Sequence, residues 1–316
     1  MKLKVLICGV TGFIGRNIAE RFAENENFEV FGTFFQTKPD DALRKRDVSL
    51  IKVDLTQKSQ VDQIIQGKDI IIQVAAVTSG AKDILTEPYI HVTDNAIMNS
   101  LIFRASFEHN IKHVIFFSCS VMYPNQDLPV KESDFNGQIT DKYFGVGWTK
   151  VYLEKMCEFF SGISETKYTA IRHSNIYGPF DKYDLEHSHV FGATITKVMS
   201  AKDKISVWGD GSEKRDLLYV SDLVDFVEII LKSQKTAFEL INIGSGLSVS
   251  IASLVKKIIK VSGKELKIEY DSSKPTIKFS LSLNIDKAKK VYNWKPKVDL
   301  EEGIKKTINW YKQNII

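Results

Sequence analysis

The sequence predicts an α/β protein, a doubly wound parallel sheet with a smaller C-terminal α/β lobe. Three observations carry that prediction. The first half alternates short β-branched runs with segments of helical period, the pattern of βαβ units. Most of those runs are continuously apolar, as in strands buried on both faces. Gly9, Gly12 and Gly15 stand three residues apart at the first strand–helix junction.

In chain order, the strand-like runs are Leu3–Cys8, Val30–Phe34, Leu50–Val53, Asp69–Val74, Val114–Ser118 and Tyr168–His173. The helical segments between them are Ile14–Glu24, Lys58–Ile65, Asp94–His109 and Val146–Ser161. After "IYGPFD" the regularity breaks, and residues 180–218 read as loop-rich around a helix at Val190–Ser200. Leu217–Leu231 reads as a short strand and a helix, and "INIGSG", 241–246, as a strand and a glycine turn. Helical segments at Ile251–Ser262 and Leu300–Gln313 bracket an extended stretch. The division expected is a nucleotide-binding domain of residues 1–176 plus about 219–244, and a ligand lobe of 177–218 plus about 245–316.

Composition narrows the class. The 316 residues are 43% apolar and 26% charged, ordinary for a soluble globular chain. The net charge of +4 is spread among acids, so nucleic acid is not the expected partner, whereas a small anion suits it. No run has the length of a membrane span and no secretory leader opens the sequence. Cys8, Cys119 and Cys157 lie far apart, without metal spacing. They suit a reducing, cytoplasmic setting, and no metal is expected.

The turn "CGVTGFIGR" has a strand before it and a helix after it. In that context glycines let the backbone approach a pyrophosphate while helix N–H groups face the anion. Gly9, Thr11, Gly12, Phe13, Ile14 and Gly15 are therefore the expected cofactor-binding residues of a Rossmann domain. Their spacing resembles that of the short-chain dehydrogenase/reductase superfamily. The resemblance implies that Asp54 and Leu55 of "KVDLTQ" sit beside the adenine. It also implies that "QVAAVT", with Val74, Ala75 and Ala76, passes the cofactor ribose. An acid at the end of the second strand would select NAD, but "VFGTFFQTK" has none. NAD(H) is expected from the resemblance, with NADP(H) open through Lys38 or Arg44.

Three further motifs resemble the extended, nucleotide-sugar branch, the NAD-dependent epimerase/dehydratase family. They are "RHSNIYGP" at 172–179, "VWGDGSEKRDLLYVSDL" at 207–223 and "IDKAKKVYNWKPKVDLEEGIKKTINWY" at the C-terminus. The resemblance implies that Asn175 faces a sugar nucleotide and that Arg215 clamps its diphosphate. "GPFDKYDLEHSHVFGATITK", 178–197, is similar to the matching segment of GDP-fucose synthases. That similarity implies a GDP-linked, manno-configured hexose or heptose, with His189 and Val190 at the sugar, Lys197 near the phosphates and Trp208 in the pocket.

One expected element is missing. The family's Ser/Thr–Tyr–Lys chemistry falls here on Cys119, Val146 and Lys150, with Ser120 beside the first. A tyrosine four residues before the lysine would share its helical face, and Val146 cannot carry a proton. Ser120–Val121 stands where 4,6-dehydratases carry an Asp–Glu pair, which argues against dehydration. Substitute bases are Tyr143, His189, or a water held by Ser120. Tyr143 is two helical turns from Lys150 unless Gly145 and Gly147 bend the chain. The leading reading is an NAD-dependent dehydrogenase acting at a ring carbon, C4, of a GDP-sugar in surface polysaccharide synthesis. A 4-epimerase or ketoreductase, and a catalytically dead binder of NAD(H) or nucleotide sugar, are the alternatives. Apolar excess on the Asp94–His109 and Val146–Ser161 helices predicts a homodimer or higher homo-oligomer.

Overall fold

A computed structural model of the chain describes residues 2–77, 88–126, 128–185, 188–273 and 280–316. Seven parallel strands form the main sheet in the order β10-β6-β5-β4-β1-β2-β3. They are β1 (Leu3–Cys8), β2 (Phe28–Phe34), β3 (Val48–Lys52), β4 (Ile70–Gln73), β5 (His113–Phe117), β6 (Lys167–His173) and β10 (Phe238–Ile243). Strand period sends Val5 and Ile7 of β1 into one core and Leu6 and Cys8 into another. The first core lies under α1 (Phe13–Ala23) and α7 (Val220–Ser233), through residues such as Ile18, Phe22, Leu223 and Phe226. The second lies under α3 (Lys58–Ile65), α4 (Thr93–Glu108) and α5 (Phe144–Gly162), through Val61, Ile102, Phe103, Leu153 and Cys157. Both faces are covered, so the strands have no polar alternation to show.

A third core, with Phe191, Ile195, Leu254, Ile258, Ile304 and Ile308, belongs to the smaller lobe. It holds α6 (Val190–Ser200), α8 (Ile251–Ser262) and α10 (Leu300–Asn314). Two small sheets accompany them. One has the order β11-β9-β7, from Ser248–Ser250, Lys214–Tyr219 and Asn175–Tyr177; the other pairs β12 (Lys267–Asp271) with β8 (Lys204–Trp208).

Three sequence expectations need correction. Residues 180–218, read as loop-rich, contain β8 and most of β9. Lys204 and Ser206 interrupt β8 because one side of it faces solvent, and β9 opens on three charged residues, of which Asp216 is buried. The stretch between Ser262 and Leu300, read as extended, contains β12 and α9 (Asp286–Tyr292), the latter too short to display a full helical period. Gly145 and Gly147 do not bend the chain, since α5 begins at Phe144 and runs through both. A Cβ on Gly145 would come to 2.9 Å from Val92 Cγ2, and one on Gly147 to 2.9 Å from Ile139 Cδ1. These glycines serve close packing. A short helix, α2 (Asp41–Arg44), was also not read from the sequence.

Candidate active site

The direction of winding reverses between β1 and β4, which opens a crevice at the carboxyl ends of the strands. Gly9 enters it with φ +89°, and a Cβ there would lie 2.9 Å from Ala75 Cα. A Cβ on Gly15 would sit 2.2 Å from Gly9 O. These two glycines are therefore demanded by the chain itself. Gly12 is different: its added Cβ would meet only Gly9 O, at 3.4 Å, and otherwise open space. Gly12 is also the N-cap of α1 and provides no side-chain cap. The leading N–H groups of α1 thus face a cradle that a side chain would fill, the arrangement that receives a dinucleotide pyrophosphate. Val74, Ala75 and Ala76 line the adjacent edge after β4. Behind them Asn95 holds Val77 through bonds of 2.9 and 3.0 Å. Thr78, the last residue of that motif, lies outside the described residues.

Asp54 and Leu55 follow β3 at the same edge. Leu55 is buried in the second core. Asp54 accepts from Thr56 Oγ1 (2.7 Å) and Thr56 N (3.0 Å), bonds that lower its pKa. Arg44 donates to Pro39 O at 3.1 Å, so a part of its donor set is already engaged.

Two strands further along, Cys119 and Ser120 follow β5 and Lys150 reaches them from α5. Lys150 Nζ donates to Phe117 O at 2.7 Å and lies 4.7 Å from the centre of the Phe116 ring. Burial lowers its pKa, against the opposing pull of Cys119 and Glu154. Burial raises the Cys119 thiol despite Lys150. Cys119 is therefore a neutral thiol at neutral pH, a weak donor where a hydroxyl was expected. Val146 lies one helical turn before Lys150 on α5, so the tyrosine position is apolar in space as well as in sequence.

Tyr143 is the N-cap residue of α5. Its phenol is half-buried; burial raises its pKa, against the opposing charge of Arg215 on β9. Tyr143 therefore lies within electrostatic reach of Cys119 and of Arg215 in the other lobe. Lys150 is seven residues on from Tyr143, a helical rise of about 10 Å, too far for the usual pair. Arg215 Nη1 donates to Lys214 O at 2.9 Å, and burial lowers its pKa. Asn175 spends one donor on Asp216 O, at 3.3 Å.

The lobe supplies a second group. His189 is the N-cap of α6 and is exposed; surrounding protein and the Lys182 charge lower its pKa. Val190 opens α6 beside it. Lys197 donates to Ser206 O at 3.1 Å and places its ammonium 5.4 Å from the Trp208 ring centre. Trp208 is 51% exposed, leaving an aromatic face beside a cation.

Sequence reasoning passed over two features. Arg172 and Glu154 form a buried pair behind β5, where Ser118 Oγ also donates to Glu154. His173, inside the quoted "RHSNIYGP", stands at the carboxyl end of β6 with its ring 6.1 Å from that of Phe117. The signal available was a titratable ring at the end of a parallel strand, where open sheets bind ligands.

The model of the family described as "NAD dependent epimerase/dehydratase family" matches residues 5–244. The chain belongs to that family. The GDP-L-colitose synthase of Yersinia pseudotuberculosis is 27% identical over 318 residues, covering 98% of each chain. The GDP-L-fucose synthase of Sinorhizobium fredii is 30% identical over 274 residues, covering 84% of this chain and 86% of that one. Among solved structures, a UDP-N-acetylglucosamine 4-epimerase from Methanobrevibacter ruminantium, in complex with UDP-N-acetylmuramic acid, superposes with a TM-score of 0.87. It is 25% identical, and the match covers all of both chains. This family member is thus an NAD-dependent enzyme of the extended short-chain dehydrogenase/reductase type that modifies nucleotide sugars. Cys119 and Val146 stand where the sequence analysis expected two of the three catalytic side chains. Among the described residues no group of His, Cys, Asp and Glu is placed to hold a metal, and no helix is long and apolar enough to cross a membrane.

Proposed function

We propose that this chain is an NAD(H)-dependent oxidoreductase acting at C4 of a GDP-linked, manno-configured hexose or heptose. Residues 1–176 plus about 219–244 would hold the cofactor, and the remainder the sugar nucleotide. The observation that carries the reading is the convergence of Lys150, Cys119, Tyr143 and Arg215 at the strand ends beyond the α1 cradle. Arg215 suits a diphosphate, and the Lys197–Trp208 pair suits stacking of a nucleobase beside an anionic group. The GDP-sugar names of the relatives support guanosine. The setting in keeping with this chemistry is cytoplasmic synthesis of surface polysaccharide sugars, by a homodimer or larger homo-oligomer.

Bound NAD+ would supply the hydride acceptor; the chain's part is to orient the sugar and take its hydroxyl proton. The test is to add GDP-mannose, GDP-L-fucose and UDP-glucose to the protein with NAD+ and follow reduced-nicotinamide absorbance. A GDP-sugar that reduces the cofactor supports the reading, and indifference to every sugar sinks it. A 4-epimerase is the second reading, favoured by the 4-epimerase of the same architecture. It would change C4 stereochemistry with no net change in cofactor, which product NMR separates.

A further inference from the structure

We propose that His173 is the proton acceptor of this enzyme, in the role that Val146 leaves empty. The inference rests on the proposed oxidoreductase function and names the base for it. Along the carboxyl edge of the sheet the order is β1, β4, β5, β6. The phosphate cradle is at β1, Cys119 follows β5, and His173 ends β6, about 14 Å and three strand spacings from the cradle. One arm of a dinucleotide held at β1 extends toward β2 and β3, and the other toward β4, β5 and β6. His173 is thus at the same end as Lys150 and Cys119.

Side-chain direction agrees. Phe117 pairs with Ile171 across β5 and β6, so His173, two residues on, shares a sheet face with Phe117 and Cys119. Its ring lies 6.1 Å from that of Phe117, whose carbonyl accepts from Lys150. Lys150, over the Phe116 ring, and His173, beside the Phe117 ring, thus both reach the end of β5, from two elements.

The tautomer is also set. His173 Nδ1 lies 2.8 Å from Ser174 O, a carbonyl that can only accept. Nδ1 therefore carries the proton and Nε2 the lone pair. Among the described residues Nε2 has no hydrogen-bond partner, and it is not fully buried. Burial, with the charges of Lys150 on α5 and His189 at α6, lowers the pKa to about 4. The ring is then neutral at physiological pH, with the Nε2 lone pair free.

The other candidates are less suited. Tyr143 has a raised pKa and stands two helical turns from Lys150. Cys119 stays protonated. His189 belongs to the opposite lobe and is exposed. In the step itself, oxidation of one secondary hydroxyl to a ketone would give a hydride to bound NAD+ and the hydroxyl proton to His173 Nε2. The imidazolium so formed passes its proton to solvent, or back to the sugar in the reverse reaction.

Two measurements test this. The first is the NMR titration of the His173 ring, assigned with His173→Gln, with and without saturating NAD+. The positive nicotinamide is expected to move its shifts and lower its pKa; a resonance indifferent to NAD+ overturns the proposal whatever the substrate. The second is turnover of whichever GDP-sugar reduces NAD+ in the parent. His173→Phe is expected to lose about a hundred- to ten-thousand-fold in kcat with the NAD+ Kd changed less than about threefold. Adding Val146→Tyr to that variant is expected to restore at least about tenfold, by rebuilding the i, i+4 pair with Lys150. His173→Phe with near-parental kcat, or with NAD+ binding lost alongside it, overturns the proposal. So does failure of Val146→Tyr to rescue when the acid limb of kcat/KM persists in His173→Gln. If NAD+ moves the ring but no sugar turns over in the parent, the proposed function fails and the catalytic role with it.

Discussion

Glu154 receives two hydrogen bonds from Arg172, 2.9 Å from Nε and 2.6 Å from Nη2, with both side chains almost wholly buried. Arg172 also donates to Tyr123 OH at 2.9 Å, and that hydroxyl donates to Asn242 Oδ1 at 2.7 Å. Burial opposes the guanidinium charge, but Glu154 and then Tyr123 outweigh it and raise the pKa. The network joins α5, β6 and β10 behind the strand ends that carry Cys119 and His173. Glu154 is one turn beyond Lys150, so a shift of this pair moves both groups.

Breaking the pair leaves a buried charge without its partner. Glu154→Gln should cost about 3–5 kcal/mol of unfolding free energy. The double change Glu154→Gln, Arg172→Met should recover at least half of that, because no lone ion remains. Urea denaturation of the parent and the two variants is the check. Equal losses in the single and double variants would show that the charges are not coupled.

Lys150→Met should act on ligand more than on fold. Its Nζ makes one bond to Phe117 O, and a charged hydrogen bond is worth about 1.5–3 kcal/mol. The NAD(H) Kd is expected to rise about tenfold to a hundredfold by calorimetry. Unchanged affinity would remove Lys150 from the cofactor site.

The main sheet was legible because its strands announce themselves: "LKVLIC", "IIIQ" and "HVIFF" leave no polar face to confuse the period. The phosphate turn was legible because Gly9 and Gly15 are forced by contacts within the chain. The lobe was less so, since β8 and β12 lie in a two-stranded sheet with one wet side. In the site, Val146 and Lys150 could be placed by helical spacing. His173 could not, because its meaning depends on β6 lying beside β5, a pairing of residues about 54 apart in sequence. The glycines of α5 were misread for a similar reason, their purpose being set by Val92 and Ile139.

The thiols should be silent in the native protein. Burial pushes Cys8 up to about 12 and raises Cys119 and Cys157. A disulfide reagent at neutral pH should label all three rapidly only after unfolding. Rapid reaction of Cys119 in the folded state would place a thiolate in the site and revive it as a base.

Asp181 gives a pH dependence of definite sign. Its Oδ1 accepts from Lys182 N at 2.7 Å, while Oδ2 is buried without a partner. Burial raises its pKa from 3.8 to about 7. Between those values the native chain holds a proton that the unfolded chain has released. Its contribution to stability is full below 3.8 and is lost as pH rises through about 7. The parent should therefore lose more stability between about pH 5 and pH 8 than Asp181→Asn does. Parallel losses in urea midpoints would show that the carboxyl is ionised throughout.

An apolar stripe on α5 predicts self-association. Phe144, Trp148, Tyr152, Phe159 and Ile163 recur at the helical period, and Tyr152 and Phe159 are 57% and 60% exposed. Ile97 on the neighbouring α4 is 41% exposed. Burying an aromatic or aliphatic side chain of this size is worth about 1.5–3 kcal/mol, so several on one stripe suffice for a stable contact with a second copy. Light scattering after gel filtration should give a dimer or larger species for the parent. Phe159→Asp, which would bring a charge into that contact, should weaken association at least about a hundredfold while leaving NAD(H) binding per chain intact. A parent that is monomeric at tens of micromolar concentration would assign the stripe to something other than its own copy.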